Sequence, residues 1–98
     1  MGWDFDGKVA VVTGASRGIG EATVRALDAG GARVVLVSRS GSTLNEIASG
    51  LANDSLVIDC DLSDDESVSV IRECTLDKFE RIDVLVNNAA VERNEPAH

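Results

Sequence analysis

The stretch Val12-Thr13-Gly14-Ala15-Ser16-Arg17-Gly18-Ile19-Gly20 (VTGASRGIG, residues 12–20) joins an apolar run to an amphipathic segment. Its glycines have the spacing G-x3-G-x-G. Gly14 allows a tight exit from a strand, Gly18 lets the backbone approach a ligand, and Gly20 lets the next helix pack closely. A helix N-terminus adds free N–H groups and a partial positive charge. The stretch therefore predicts a strand–turn–helix unit that holds a pyrophosphate; the alternative is a merely structural turn.

Outside this turn, β-branched apolar runs alternate with segments of helical periodicity. The runs predict strands at residues 8–13, 33–37, 56–59 and 82–87. Helical spacing in the intervening segments makes the predicted order βαβαβαβ. Strands that are apolar throughout and joined by helices form a parallel sheet covered on both faces. We therefore predict an α/β fold, a partial doubly wound parallel Rossmann sheet with strand order 3-2-1-4.

Each predicted helix has an expected boundary and an expected buried face. Gly30-Gly31 is expected to end the first helix. Ser42 and Thr43 are N-cap candidates for the second, and Thr43–Glu46 and Ser63–Glu66 have capping-box spacing. The expected inner faces are Ile19, Ala22, Thr23, Ala26 and Leu27 in the first helix, Leu44, Ile47, Ala48 and Leu51 in the second, and Val68, Ile71 and Thr75 in the third.

Composition narrows the class of protein. The chain has 98 residues, 44% of them hydrophobic, and a net charge of -8. This charge argues against general affinity for nucleic acid or anionic membranes. No apolar run could span a bilayer and the N-terminus is acidic, so we expect a cytoplasmic protein. Cys60 and Cys74 have neither metal-ligand nor CxxC spacing, and His98 is the only histidine, which predicts reduced thiols and no metal site.

The choice of dinucleotide depends on the residues after the second predicted strand. An NAD-preferring site usually has Asp or Glu there, which holds the ribose hydroxyls. This chain has Ser38 followed by Arg39, and Arg17 lies inside the glycine turn. Two guanidinium groups can converge on a 2′-phosphate through their forked donors. The pattern favours NADP(H) over NAD(H); the alternative is two solvated surface arginines.

Four motifs follow one another along the chain. They are Phe5-x-Gly7-Lys8, TGASRGIG at 13–20, Cys60-Asp61-Leu62 and Asn87-Asn88-Ala89-Ala90. In this order and spacing they resemble the classical short-chain dehydrogenase/reductase family over the whole chain, and the combination is specific where a single motif is not. VSR at 37–39 and NNAAV at 87–91 are most similar to the dicarbonyl/L-xylulose reductase branch.

The resemblance implies roles for single residues. Asp61 would hydrogen-bond the adenine amino group beside the Leu62 backbone; the alternative is a carboxylate facing a helix start. Asn88, Ala89 and Ala90 would lie along the riboses, although the family more often has Gly at the last position. Asn87 would tie neighbouring strands together, and a purely structural role is the alternative for the asparagine pair. The candidate cofactor-binding residues are Gly14, Ser16, Arg17, Gly18, Ile19, Gly20, Ser38, Arg39, Asp61, Leu62, Asn88, Ala89 and Ala90.

The catalytic residues that the resemblance implies are a Tyr, a Lys four residues later and a Ser. The chain has no Tyr, and its lysines, Lys8 and Lys78, precede the first and fourth predicted strands. No catalytic residue is therefore assigned. We expect residues 1–98 to form a single, incomplete NADP(H)-binding Rossmann domain with a polar tail at 91–98.

Two functions are compatible with these observations. The first is the N-terminal, cofactor-binding part of an NADP(H)-dependent oxidoreductase that acts on a carbonyl, alcohol or sugar and is inactive alone. A full-length relative would then be a homo-oligomer, as the resemblance implies. The second is a non-catalytic NADP(H)-binding or interaction module that pairs with a full-length reductase.

Overall fold

The computed structural model describes residues 4–16 and 18–88. Within these ranges the strands are β1 (Val9–Thr13), β2 (Arg33–Ser38), β3 (Ser55–Asp59) and β4 (Val84–Asn87). The helices are α1 (Gly18–Ala29), α2 (Gly41–Ser49) and α3 (Ser67–Phe79). Neighbouring strands are parallel, and the sheet order is β3-β2-β1-β4. The predicted α/β class, the alternation of elements and the strand order 3-2-1-4 are confirmed.

The two faces of the sheet carry separate hydrophobic cores because side chains alternate along each strand. On one face, Val12 and Leu36 pack with Val24 of α1 and Leu44 of α2. The core of the other face consists of Val9, Val11, Val35, Val37 and Ile58 from the strands with Ile71 and Phe79 from α3. Every residue of β1 is buried. This burial on both sides explains why residues Val9 to Val12 of β1 are apolar without interruption.

The buried stripe of α1 differs from the predicted one. Its buried residues are Gly20, Val24, Leu27 and Asp28. Of the predicted face, Leu27 alone is buried, whereas Ile19 is 69% exposed. Ala22 and Ala26 have the helical spacing of a buried face, but they are small and are exposed. Asp28 was not among the predicted residues. Asp28 is buried because its carboxylate accepts the N–H groups of Ala52 and Asn53 at 2.8 and 2.9 Å.

The faces of the other two helices agree better with the prediction. Leu44 and Ile47 of α2 are buried, and Ala48 and Leu51 pack half-buried against the same core. The buried residues of α3 are Ser67, Ile71, Thr75 and Phe79. Val68 was expected among them and is 67% exposed, because the stripe runs through every fourth residue from Ser67.

The predicted end of α1 is correct, whereas the N-caps predicted for α2 and α3 are wrong. α1 ends at Ala29, and Gly31 has a φ of +99°. α2 instead follows Ser40 and α3 follows Glu66, and neither N-cap side chain makes a capping hydrogen bond. Ser63 donates its N–H and hydroxyl to Asp61 at 2.9 and 2.7 Å. The hydroxyl expected to cap α3 therefore closes the turn before the helix.

Candidate functional site

The candidate residues lie at the carboxyl ends of the strands, which meet at one edge of the parallel sheet. Two backbone hydrogen bonds join neighbouring strand ends there. The N–H of Ala15 donates to the carbonyl oxygen of Val37 at 3.2 Å, and that of Cys60 donates to Ser38 at 3.0 Å. The glycine turn, the end of β2 and the end of β3 are thereby held side by side, as the strand order requires.

The glycine turn leaves backbone open to solvent beside the start of α1. Gly14 and Gly18 have φ values of +63° and +58°, a conformation that glycine adopts without steric cost. Beyond the adjoining backbone, a Cβ built on Gly18 would have no atom of residues 4–16 and 18–88 within 4 Å. One built on Gly20 would overlap the carbonyl oxygen of Gly14, so this glycine lets the helix lie against the turn. Ser16 is half-buried, and Arg17 lies outside the described residues.

The ends of β2 and β3 bring together Arg39, predicted to bind the 2′-phosphate, and Asp61, predicted to bind the adenine amino group. A guanidinium nitrogen of Arg39 lies 3.8 Å from a carboxylate oxygen of Asp61, and the two side chains are 76% and 48% exposed. Exposed pairs of this kind contribute at most about 1 kcal/mol to stability. Ser38 accepts the N–H of Ser40 at 3.0 Å. The Arg39 guanidinium is therefore held only weakly where it lies.

Asp59 belongs to this region and was not assigned from the sequence. A Cβ on Gly41, the first residue of α2, would lie 2.5 Å from Oδ2 of Asp59. The missing side chain at Gly41 thus makes room for a carboxylate at the start of α2, where the helix dipole favours it. The one signal in the sequence is a glycine directly after Arg39-Ser40, one residue before the expected hydroxyl cap at Ser42.

Cys60 lies among the acidic residues of this edge. Partial burial raises the pKa of the Cys60 thiol, and the charges of Asp59, Asp61 and Asp64 raise it further. A thiol in such surroundings stays protonated and is a poor nucleophile. Both cysteines are free within the described part of the chain, and their reduced state stays a prediction.

Asn87 and Asn88 have different surroundings at the end of β4. Oδ1 of Asn87 accepts the Thr13 hydroxyl at 2.9 Å, which ties β4 to β1 as the resemblance implied. Nδ2 of Asn88 is buried and has no hydrogen-bond partner among residues 4–16 and 18–88. A buried amide without an acceptor is costly. Ala89 and Ala90 lie outside the described residues.

The side chain of Leu62 packs half-buried against the core beneath α3. Contact of the Leu62 backbone with a ligand, which the resemblance implies, stays a prediction.

Residues 4–16 and 18–88 contain no group of three or more His, Cys, Asp or Glu side chains placed to hold a metal ion. None of their helices is long and apolar enough to cross a membrane.

The chain matches one known protein family over most of its length. The family described as short chain dehydrogenase matches residues 8–98. The chain belongs to the short-chain dehydrogenase family. The match includes the glycine turn, the Asp61 region and the Asn87-Asn88 pair, so the resemblance proposed from the motifs is confirmed.

Curated bacterial proteins with similar sequences support this membership. The chain is 44% identical over 91 residues to the 3-oxoacyl-[acyl-carrier-protein] reductase of Synechocystis, a match that covers 89% of this chain and 37% of that protein. It is 40% identical over 100 residues to the D-threitol dehydrogenase of Mycolicibacterium smegmatis, covering 97% and 38%. The chain thus spans less than two fifths of the length of these relatives.

Solved short-chain dehydrogenases have the same fold. L-sorbose reductase from Gluconobacter frateurii, solved with NADPH and L-sorbose, matches with a TM-score of 0.80 and 32% identity, over 87% of this chain and 34% of that one. The 3-ketoacyl-(acyl-carrier-protein) reductase from Brucella melitensis, solved with NADH, matches with a TM-score of 0.79 and 34% identity, over 84% and 34%.

Proposed function

We propose that this chain is the NADP(H)-binding part of a short-chain oxidoreductase, formed as a single domain by residues 1–98. The observation that carries the proposal is the open backbone at Gly18. Its φ of +58° leaves room for a pyrophosphate at the start of α1, because beyond the adjoining backbone no atom of the described residues lies within 4 Å of a Cβ position there. Helix N-termini bind such anions through unpaired N–H groups.

Other residues at the same edge fit the rest of a dinucleotide. The buried Nδ2 of Asn88, which lacks a partner among the described residues, can donate to a ribose or phosphate oxygen. Asp61 is exposed and can accept from an adenine amino group. Ile19, 69% exposed in the first turn of α1, offers an apolar surface to the ligand. When bound, the dinucleotide supplies the hydride chemistry, and these residues bind and orient it.

The charges of the residues at the end of β2 and in the glycine turn support a preference for NADP(H). Ser38 stands where an NAD-binding carboxylate would repel a 2′-phosphate. Arg39 is 76% exposed and makes a long 3.8 Å pair with Asp61, so a doubly charged phosphate can compete for it through two parallel hydrogen bonds. Arg17, in the turn itself, is the second cation in this proposal.

The substrate and the activity of the chain alone are also proposals. Two of the matched relatives are named for D-threitol and L-sorbose, which supports a sugar, polyol or other carbonyl substrate, and the dicarbonyl/L-xylulose branch stays a prediction. We propose that a full-length form works as a homo-oligomer in the cytoplasm. Because the chain has no Tyr, it lacks the phenol that would transfer the proton. Purified chain should therefore not consume NADPH with L-sorbose or a dicarbonyl.

Titration of the full chain with NADPH and NADH tests the proposal. We expect Arg39→Ala, and more strongly the Arg17→Ala/Arg39→Ala double variant, to weaken NADPH binding by about tenfold or more, since each loses a charge-assisted contact. Arg72→Ala, which removes an exposed arginine from α3, is the charge-matched control and should bind as wild type. Equal NADPH binding by wild type and double variant would contradict the 2′-phosphate assignment, and no binding of either cofactor would contradict the function.

A further inference from the structure

The end of β3 places a carboxylate beside the end of β2. Ser38 and Asp59 are partners in the parallel register of the two strands, so their backbones lie about 4.8 Å apart. Side chains alternate along a strand, and Leu36 and Val57, two residues earlier, both pack against the core beneath α1 and α2. Ser38 and Asp59 are therefore neighbours on that same face of the sheet.

The Asp59 carboxylate lies against the start of α2. Its Oδ2 is 2.5 Å from the position of a Cβ on Gly41, the first residue of the helix. Ser40, at the N-cap, makes no side-chain capping hydrogen bond, and the N–H groups of a first helical turn favour an anion. Asp59 is exposed, and none of the ion pairs formed within residues 4–16 and 18–88 involves it. A ligand at this strand end thus meets a carboxylate that is open to solvent.

This carboxylate is next to the position that distinguishes the two dinucleotides. A carboxylate at the end of the second strand binds the ribose hydroxyls of NAD(H), whereas an arginine accommodates the 2′-phosphate of NADP(H). Ser38 has no carboxylate of its own, and Asp59 brings one to the neighbouring strand end. Arg39 follows Ser38 directly and is 76% exposed. The same strand ends therefore present a group that suits each dinucleotide.

We propose that Asp59 is a specificity-determining residue, whose carboxylate accepts the 2′-hydroxyl of NAD(H) and repels the 2′-phosphate of NADP(H). It reduces the preference for NADP(H) that Arg39 and Arg17 provide, so that the chain binds both dinucleotides. This inference rests on the proposed dinucleotide binding and adds the residue that opposes the arginines. Two like charges a few ångströms apart at a protein surface repel strongly enough to change a dissociation constant several-fold.

Titration of the full chain with NADPH and with NADH, followed by nucleotide fluorescence, tests this role. Asp59→Asn keeps the size of the side chain and removes its charge. We expect the Kd for NADPH to fall about fivefold or more, because a repulsion is lost. We expect the Kd for NADH to rise about threefold or more, because a charged acceptor is lost.

A control variant removes the same charge at the opposite edge of the sheet. Asp77 is exposed and precedes Lys78, whose Nζ donates to the carbonyl oxygen of Ser55, the first residue of β3, at 2.8 Å. Asp77 therefore lies beside the amino end of β3, away from Asp59 at its carboxyl end. Asp77→Asn should bind both nucleotides as the wild type does.

A second variant moves the carboxylate to the paired strand. Ser38→Asp/Asp59→Asn has the carboxylate at the end of β2, and we expect it to restore the NADH binding that Asp59→Asn loses. The ratio of the two dissociation constants separates ligand recognition from stability, because a merely structural role of Asp59 at the start of α2 would weaken the binding of both nucleotides alike.

The outcomes distinguish this inference from the proposed function. Binding of both nucleotides by folded Asp59→Asn with an unchanged ratio would overturn the role of Asp59 and leave the dinucleotide site intact, as would an equal change in Asp77→Asn. A wild type that binds neither nucleotide would contradict the proposed function and the role of Asp59 with it. Far-UV circular dichroism verifies folding, which we expect to persist because Asp59 is exposed.

Discussion

The hydroxyl of Thr13 donates a 2.9 Å hydrogen bond to Oδ1 of Asn87, joining the carboxyl ends of β1 and β4. Thr13 is only 5% exposed, and the same hydroxyl lies 3.4 Å from the carbonyl oxygen of Val86. Because a hydroxyl donates a single proton, the shorter bond, to Asn87, is the principal one. It also holds the strand that leads directly into Asn88.

Removing this bond should weaken the β1–β4 pairing. Thr13→Val keeps the β-branched shape and deletes the donor, so we expect the free energy of unfolding to fall by about 1 kcal/mol. Asn87→Ala should cost a similar amount, and the double variant less than the sum. Urea unfolding followed by circular dichroism measures the cycle. Strictly additive losses would mean that the two side chains are not coupled.

At the other end of the β1–β4 pair, Asp83 makes the stability of the fold depend on pH. Its carboxylate accepts the Arg81 guanidinium at 2.8 and 2.9 Å and the Val9 N–H at 2.9 Å. The hydrogen bond from Arg81, followed by that from Val9, lowers the pKa of Asp83 in the folded chain. The ionised form is therefore favoured by folding, and its contribution is complete above the ordinary carboxyl pKa of about 3.9.

The contribution of Asp83 should disappear as the pH falls through its lowered folded pKa. We expect Asp83→Asn to lower the melting temperature at neutral pH and to bring it close to that of the wild type at strongly acidic pH. Melting curves from neutral to strongly acidic pH measure this convergence. Asp65→Asn, which changes an exposed carboxylate, is the control and should follow the wild type throughout. A constant gap between Asp83→Asn and wild type would contradict the ionisation argument.

The sequence predicted the sheet better than the helices because the strands are short apolar runs, of which β1, buried along its whole length, is the clearest. These apolar runs identified all four described strands to within two residues at each end. Helix faces depend on which residues touch a neighbour, and small residues obscure that signal. Gly20 is buried because α1 lies against the Gly14 turn, and Asp28 because a distant loop supplies N–H groups to it. Neither contact is visible in local periodicity.

In the candidate site, too, contacts between residues distant in the sequence could not be predicted from local patterns. Strand order alone predicts that Arg39 and Asp61 follow neighbouring strands, and they lie 3.8 Å apart. The position of Asp59 against Gly41 depends on a contact between β3 and α2 that no local motif encodes. Capping boxes failed for a related reason, since Ser63 was already bonded to Asp61.

Gly20 should tolerate no side chain, whereas Gly50 should. The Cβ of Gly20→Ala would overlap the Gly14 carbonyl oxygen, which is backbone and cannot give way without moving α1. We expect a loss of about 1–3 kcal/mol or more in unfolding free energy. Gly50 has a φ of -96°, and its nearest atom to a built Cβ is 3.6 Å away. Gly50→Ala should therefore be neutral or stabilise by about 0.5 kcal/mol. Similar losses in both variants, measured by denaturant unfolding, would contradict close packing of α1 on the turn.

Alanine substitutions at Gly18 and Gly7 separate the effect of backbone strain on stability from the effect of a methyl group on ligand binding. Both have positive φ, +58° and +78°, and a Cβ on either would have no atom within 4 Å. Alanine at each position should cost about 1 kcal/mol of stability, because both side chains would enter the left-handed region. Only Gly18→Ala should weaken NADPH binding, since its methyl group would fill the space proposed for the pyrophosphate.

Thermal unfolding and NADPH fluorescence titration of Gly18→Ala, Gly7→Ala and the wild type together test this prediction. Matched losses of stability with a binding defect in Gly18→Ala alone would support a pyrophosphate against that backbone. A binding defect of equal size in Gly7→Ala would trace the effect to general destabilisation. Wild-type binding by Gly18→Ala would mean that the phosphates do not approach the turn, because a methyl group at contact distance cannot be neutral to a ligand packed there.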